Sequence, residues 1–353
     1  MTLNKRIKSL LNRLPLPAPL KTRLRLIIHK SNAAHHSCSQ RSSDFFRRRV
    51  LQKLKRAAFT LTQWLLNYPS ERAIFQSIHG YPLNLRHPRS FNEKIVWKKL
   101  HDRNPLLPRV TDKFLVRNYV REKLGAQKAE KILIPLLFHS KDPAAIPFDN
   151  LPDSFVIKPN HASGRILIVR NKHEIDRDII VATCREWLSE THYFFRHEWA
   201  YRKIKPLILV EALLLESDGN VPREIKFHMF HGKCKRIVVI TGRFEELKQS
   251  SFDGEWNYLE TETSYPVGPP LPKPANFDEM VELAEKLAQD FDYIRVDLYD
   301  LRGRVYFSEL TSYTNSGDIN YKPTQYDFDL GANWTIIPGY WKKKNRQTIE
   351  SNK

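Results

Sequence analysis

The residues from Tyr293 to Gly317, YIRVDLYDLRGRVYFSELTSYTNSG, constrain the fold more than any other stretch. Alternating apolar residues (Ile294, Val296, Leu298, then Val305 and Phe307) flank Asp300-Leu301-Arg302-Gly303, which predicts two antiparallel strands meeting at a tight turn. With Gly303 as the left-handed residue of a three-residue loop, residue 300 pairs with 304 and residue 295 with 309. That register puts Arg295, Asp297, Glu309 and Thr311 on one face, and a one-residue slip would scatter them. Two carboxylates and a hydroxyl on neighbouring strands form an oxygen-rich site for a hard cation, and Mg2+ favours a few carboxylates together with substrate phosphates. The competing reading is an ordinary hairpin with Asp297 and Glu309 solvated.

The net charge of +19 looks like a nucleic-acid signal until it is located. Residues 1–60 carry 15 Lys and Arg against the single acid Asp44, so the remainder is nearly neutral. Leu3, Ile7, Leu10, Leu11 and Leu14 recur at helical spacing among basic residues, as do Phe46, Val50, Leu54, Ala57, Leu61 and Leu65. Basic amphipathic helices of this kind either lie on anionic membrane surfaces or pack on the body with their charges in water. Residues 1–66 are thus a candidate contact with an anionic membrane surface. No specific nucleic-acid partner is expected, because the aromatic-interleaved groove for single strands is missing. Residues 31–44 read as a polar linker. No run of 18 apolar residues exists and no uninterrupted apolar h-region follows the N-terminal charges, so the expected location is the cytoplasm, with peripheral contact on the inner face of the cell membrane. Cys38, Cys184 and Cys234 are too dispersed for a disulfide framework or zinc site.

From Ser70 the composition becomes ordinary. Ser90 and Glu93 form a capping box for a helix through Leu100, and Thr111 caps a second that stops at Gly125. These predict a small α-rich lead-in domain over 70–150, ending in a proline-broken loop from Pro135 to Pro152. Next, SFVIK (154–158), PNHASG (159–164) and RILIVR (165–170) read as strand, loop, strand. A lysine closing a strand beside a loop of small polar residues suits a phosphate, although a surface hairpin reads the same way. Ile175 to Glu190 is helical by spacing, with Ile175, Ile179, Ala182, Trp187 and Leu188 as its inner face. Leu207–Glu211 is a buried strand whose terminal glutamate could accept from a base or ribose. Glu224–His231 and Lys233–Thr241 form a hairpin about Gly232, with Ile225, Phe227 and Met229 on one face and Glu224, Lys226 and His228 on the other. After a proline-rich connector at 264–274, Asn276 and Glu279 make a second capping box for a helix through Gln289. Beyond Gly331 the tail turns basic.

In order, SFNEKIVWKKLHDRNPL (90–106), LPDSFVIKPNHASG (151–164), REIKFHMFHGK (223–233) and RVDLYDLRGRVYFSELT (295–311) resemble the ATP-grasp superfamily, and its TupA-like branch most closely. The resemblance covers roughly Ser70 to Trp334. It implies an α+β fold in which two α+β subdomains (151–335) clasp ATP, preceded by the lead-in domain and the basic extension (1–69) and followed by a basic tail (336–353). It implies that Lys158 touches the nucleotide phosphates while His161, Ser163 and Gly164 close over them. Glu211 would lie at the adenine and ribose, Lys226 would line the cleft, and Lys248 is a candidate second phosphate contact. Asp297, Glu309 and Thr311 would hold Mg2+, and Arg295 would steady the transferring phosphoryl group. Pro159 and Ala162 stand where relatives commonly have Cys and Gly, leaving the loop stiffer, and Thr311 stands where the wider superfamily has Asn.

The activity implied is ATP-dependent ligation of a carboxylate to an amine through an acyl phosphate, with a carboxylate in a surface polysaccharide or its precursor as acceptor. A glycosyltransferase using a nucleotide sugar is the rival enzyme reading, weakened by the lack of a persuasive DxD motif. A non-catalytic membrane-associated scaffold is the rival outside enzymology. An ATP-dependent kinase differs only in leaving the phosphoryl group on the acceptor.

Overall fold

The computed structural model describes residues 59–190, 196–242 and 247–342. The expected helix at 3–14, most of that at 46–65, the linker at 31–44, Cys38 and the basic run from 343 lie outside the described residues. Contacts divide the chain between Pro69 and Ser70. Before that point residues 59–65 are helical, and Trp64, Leu65 and Leu66 are exposed.

The body runs through α1 (Pro69–His79), α2 (Phe91–His101), α3 (Leu106–Thr111), α4 (Val116–Leu124) and α5 (Ala126–Ile132). It then builds two antiparallel sheets. The smaller, in the order β1-β4-β2-β3, joins β1 (Leu136–Ser140), β2 (Phe155–Pro159), β3 (Leu167–Val169) and β4 (Ile208–Ala212), with α6 (Arg177–Ser189) packed on it. The larger, in the order β10-β9-β5-β6-β7-β8, joins β5 (Glu224–Phe230), β6 (Lys233–Thr241), β7 (Lys248–Phe252), β8 (Tyr258–Leu259), β9 (Tyr293–Leu301) and β10 (Arg304–Thr311). Helix α7 (Phe277–Ala288) packs on it, and α8 (Gln325–Ala332) follows. This is the expected α+β class with one core per sheet. Met280, Leu283, Ala284 and Leu287 of α7 meet Ile225, Phe227 and Met229 of β5, which leaves the other face of β5 for the charged side chains.

Several local expectations are corrected. The segment 135–152 contains β1, which pairs with β4, so a boundary at 150 would cut the smaller sheet. Thr111 ends α3 instead of capping the next helix; α4 opens at Val116 with no side-chain cap, and Asp112 closes the turn before it, its Oδ1 accepting from the Phe114 and Leu115 amides at 2.8 and 3.2 Å. Asn276 makes no side-chain cap and donates to Asp300 Oδ1 at 3.2 Å. On α6 the buried stripe is Ile180, Cys184 and Trp187, because Asp176 caps the helix at the Asp178 and Ile179 amides; Ile179 is 63% exposed. The hairpin loop has two residues, Arg302 (φ 53) and Gly303 (φ 75), both left-handed as a type I′ turn requires.

Helix α2 ties the elements together. The Ser90–Glu93 capping box opens it, and it is buried on nearly every side. Lys98 and Lys99 are fully buried, Lys98 between Asp102 (2.8 Å) and Asp292 (2.6 Å), Lys99 against Glu71 (2.8 Å) and the Ser316 carbonyl (2.9 Å). Burial opposes the Lys98 charge, but Asp292 and Asp102 outweigh it and raise its pKa well above the ordinary lysine value. Gly331 of α8 fits because a Cβ there would stand 2.3 Å from the Arg89 carbonyl. Lys98→Met strands two buried carboxylates and should cost about 3–5 kcal/mol in urea denaturation. Lys286→Met, which breaks an exposed pair with Glu282, should leave the urea midpoint nearly unchanged.

Candidate active site

The site is built from the bottom of β9 and β10 upward. Beyond the turn, Val305 pairs with Asp300 and Phe307 with Leu298; the register then shifts by one, so that Glu309 faces Asp297 and Thr311 faces Arg295. Ser308 is the extra residue of this β-bulge. Residue 295 therefore pairs with 311, not 309 as the three-residue loop implied. The four side chains still share one face, because a shorter loop and one bulge change the register by an even number.

On that face Arg295 is the hub. Its Nε donates to Asp297 Oδ1 (2.7 Å), and its Nη2 to Asp297 Oδ2 (2.6 Å), Glu309 Oε1 (3.3 Å) and Thr311 Oγ1 (2.9 Å). Thr311 in turn donates to Glu309 Oε1 at 2.9 Å. Lys226, opposite Asp297 on β5, donates to Asp297 Oδ2 at 2.9 Å and to Glu224 Oε2. The bulged Ser308 donates to Glu224 Oε1 at 2.7 Å. Lys113, from the segment before α4, lies 3.5 Å from Glu309 Oε2. Three cations and three carboxylates thus meet on one sheet face.

Burial pushes the Glu309 carboxyl up, but Lys113 and Arg295 outweigh it and hold it at about 2. Burial lifts the Asp297 carboxyl above the ordinary aspartate value, while Arg295 and Lys226 pull against that lift. Burial also opposes the charge on Lys226, yet Asp297 and Glu224 prevail and raise its pKa.

The second group of expected residues sits on the smaller sheet. Lys158 and Glu211 lie on the face opposite the core, their charges paired at 2.6 Å, and Arg117 of α4 stands 3.7 Å from Glu211. The loop after β2 is anchored by fully buried Asn160. Its Nδ2 donates to Asp112 Oδ1 (2.9 Å) and the Lys205 carbonyl (3.0 Å), and its Oδ1 accepts from the Leu207 amide (2.8 Å). His161 is buried next to it, and Ser163 and Gly164 are exposed at the tip. Lys113 Nζ donates to the Ala162 carbonyl at 2.9 Å, so one lysine touches both the loop and Glu309.

The structure therefore brings Lys226, Arg295, Asp297, Glu309 and Thr311 together, pairs Lys158 with Glu211, and joins the loop to the larger group through Lys113. Lys248 is not among them. Opposite Thr241 in the register, it shares the face of Ile225 and Val239, away from Lys226. Sequence reasoning missed Lys113, Arg117 and Ser308. Thr111-Asp112-Lys113 shortly before an apolar-periodic helix is the available signal for the first, since Asp112 both closes the turn leading into that helix and grips the loop.

Among the described residues no group of three or more His, Cys, Asp or Glu side chains is arranged to hold a metal ion. The donors present are two facing carboxylates and a hydroxyl, a hard-oxygen set that fits a Mg2+ whose remaining ligands come from phosphates.

Two antiparallel α+β units, one offering a lysine and a small-residue loop and the other a carboxylate pair held by arginine, define an ATP-grasp protein. The TupA-like ATPgrasp family model matches residues 93–335, and the chain belongs to that family. No curated protein matches it. Among solved structures it is similar to D-alanine–D-alanine ligase from Bacillus anthracis complexed with ATP, at 18% identity over 58% of this chain and 54% of that one (TM-score 0.34). It is also similar to D-alanine–D-alanine ligase from Helicobacter pylori, at 14% identity over 64% and 61% (TM-score 0.36). A third is N5-carboxyaminoimidazole synthase from Aspergillus clavatus, at 15% over 58% and 44% (TM-score 0.32). The matched region spans roughly half of each of these chains.

The Glu309 carboxyl, at about 2 against an ordinary 4.5, stabilises the fold at pH above the ordinary value and loses that contribution as pH falls toward about 2. Urea midpoints measured in steps across this window should fall for the wild type and fall less steeply for Glu309→Gln. Parallel acid limbs in the two proteins would refute the assignment.

Proposed function

We propose that this chain is an ATP-dependent ligase that joins a carboxylate to an amine through an acyl phosphate. The observation that carries the reading is the Arg295 guanidinium shared among Asp297, Glu309 and Thr311, with Lys226 and Lys113 completing the cationic set. Phosphoryl transfer asks little covalent chemistry of a protein, so catalysis is positioning plus neutralisation of charge on the transferring group. A cluster of fixed cations without a Ser-His-Asp arrangement suits that demand.

In this reading Lys158 contacts the nucleotide phosphates, with His161, Ser163 and Gly164 closing over them and Glu211 near the base and ribose. Lys113, held between the loop carbonyl and Glu309, senses loop position and phosphate together. Asp297, Glu309 and Thr311 would hold Mg2+, which supplies charge neutralisation across the phosphates when bound. Arg295 and Lys226 stabilise the negative charge that builds as a substrate carboxylate oxygen bonds to the γ-phosphorus and the bond to ADP breaks. A neutral amine then attacks the acyl carbon, the bond from that carbon to the phosphate oxygen breaks with its electron pair leaving on inorganic phosphate, and the proton lost from the amine nitrogen passes to that phosphate. The acceptor proposed is a uronic-acid or amino-acid carboxylate in a surface polysaccharide or its precursor. Lys248 remains a proposed phosphate contact only if the edge of the larger sheet rearranges.

The test is ADP and phosphate release with MgATP against a panel of uronic acids and amino acids. Release should require a carboxylate and an amine together and fall by about 10²-fold in Glu309→Ala. Phosphorylated acceptor without phosphate release would make the protein a kinase; binding of a UDP-sugar but not ATP would make it a glycosyltransferase.

We further propose that residues 1–66 hold the protein on an anionic membrane surface, on the strength of the 15 basic residues before position 61 and the exposed Trp64, Leu65 and Leu66. Among the described residues no helix is long and apolar enough to cross a membrane. Removing residues 1–66 should abolish sedimentation with phosphatidylserine-containing vesicles, and unchanged partitioning would end the idea.

A further inference from the structure

Arg236 of β6 is 1% exposed, and no carboxylate among the described residues lies within ion-pair distance of it. Its Nη1 donates to Tyr321 Oη (2.8 Å) and its Nη2 to Ser251 Oγ (3.1 Å), while its Nε is buried with no hydrogen-bond partner. Tyr321 and Tyr326 present their rings to the guanidinium at 5.0 and 5.6 Å. Those contacts cushion the charge without cancelling it. Asp327 acts on Tyr321, but its oxygens are already engaged by Asn92 and Tyr81. Other buried cations of this chain have acids: Lys98 has two, Lys99 and Arg295 have theirs. A buried guanidinium lacking one is costly unless an anion arrives to meet it.

Its position says which anion. In the larger sheet Thr311 pairs with Arg295, Arg295 with His228, and His228 with Arg236. These four side chains form one cross-strand row on the charged face, with one strand, β5, between Arg236 and Arg295, or roughly 10 Å between their backbones. Burial, then Arg236, Arg295 and Lys226, drive the His228 pKa well below the ordinary value, so it stands neutral between the arginines and competes for no anion. The row thus offers two guanidinium groups about one small molecule apart, one bound by the protein's own carboxylates and the other not.

We propose that Arg236, with Ser251 and Tyr321, binds a carboxylate of the acceptor substrate, at a point one small molecule away from the phosphoryl-transfer centre. The proposal rests on the ligase reading. The carboxylate comes either from the acid to be activated or from an amino acid serving as the amine, and the planar fork of arginine suits it in both cases. Tyr321 moves aside or shares the anion, since Nη1 donates to its hydroxyl.

The experiment uses the full chain loaded with a non-hydrolysable ATP analogue and Mg2+, and measures calorimetric affinity for D-glucuronate and for L-alanine in the wild type, Arg236→Met and Arg236→Lys. The expected result is at least tenfold loss for one of the two probes in Arg236→Met, with a smaller loss in Arg236→Lys and analogue affinity within twofold of wild type. Which probe weakens tells whether the acid or the amine substrate carries the group. Lost analogue affinity with unchanged probe binding would assign Arg236 to the nucleotide and overturn the proposal. So would unchanged probe affinity in both variants, or failure of both probes to bind the analogue-loaded wild type, in each case leaving the ligase reading intact. If the wild type binds no ATP analogue, the ligase reading itself fails and takes this one with it. Should Arg236→Met not fold, Arg236→Lys decides alone: a purely structural arginine predicts a lowered melting temperature with unchanged probe affinity.

Discussion

A single inserted residue in β10 decides whether this face has any chemistry. If the pairing of Val305 with Asp300 and Phe307 with Leu298 simply continued, Glu309 would come opposite Val296 and point into the apolar core. The bulge at Ser308 returns it to the face of Asp297 and carries Thr311 to Arg295. The bulged residue is also tied into the cluster it creates, because Ser308 donates to Glu224 and Glu224 holds Lys226. The backbone irregularity and the charged network therefore stabilise one another, and neither has a reason to exist alone.

The network is balanced among its own side chains. Arg295, Lys226 and Lys113 stand against Asp297, Glu309 and Glu224, every charge within reach of an opposite one. Burying such a set is tolerable only because each member is paired. A bare dication would add two charges to a set already neutral, whereas in the proposed reading a metal nucleotide would bring phosphates for the cations and leave the carboxylates for the metal. On this view the resting salt bridges hold the groups in place until the nucleotide substitutes for them. Arg236, outside the balanced set, is the one cation on this face that the described side chains leave without an acid.

Much of this was legible in the amino-acid sequence, and the reasons for the exceptions are specific. Alternation marked β5, β9 and β10 because one face of each is apolar, β5 and β9 packing on α7 and β10 on α3 and α5, while the other carries charge. The shared face of Arg295, Asp297, Glu309 and Thr311 followed from the even spacing within each strand. Their partners did not, because Arg302 adopts a left-handed conformation that its residue type does not announce, and Ser308 looks like any other strand residue. The strand at 136–140 was hidden by the prolines around it, which mark the loop on one side and say nothing of the pairing with β4. On α6 the apolar residues run nearly all round, so only the Asp176 cap reveals which of them turn inward.

The segment read as a separate lead-in domain shows what local pattern omits. Its lysines at 98 and 99 look like solvated charges on a helix, since nothing nearby in sequence distinguishes a buried lysine from an exposed one. Their acids, Asp102, Asp292 and Glu71, and the Ser316 carbonyl are distributed from residue 71 to residue 316, and only the fold collects them. Once α2 is fixed in this way, α3 and the Asp112 turn follow it in register, and Lys113 arrives between the Ala162 carbonyl and Glu309. The buried lysines of α2 are thus connected to the site by a short, stiff path of backbone. The helices before the sheets are a structural part of the ATP-grasp body, and they supply one of the cations of its candidate active site.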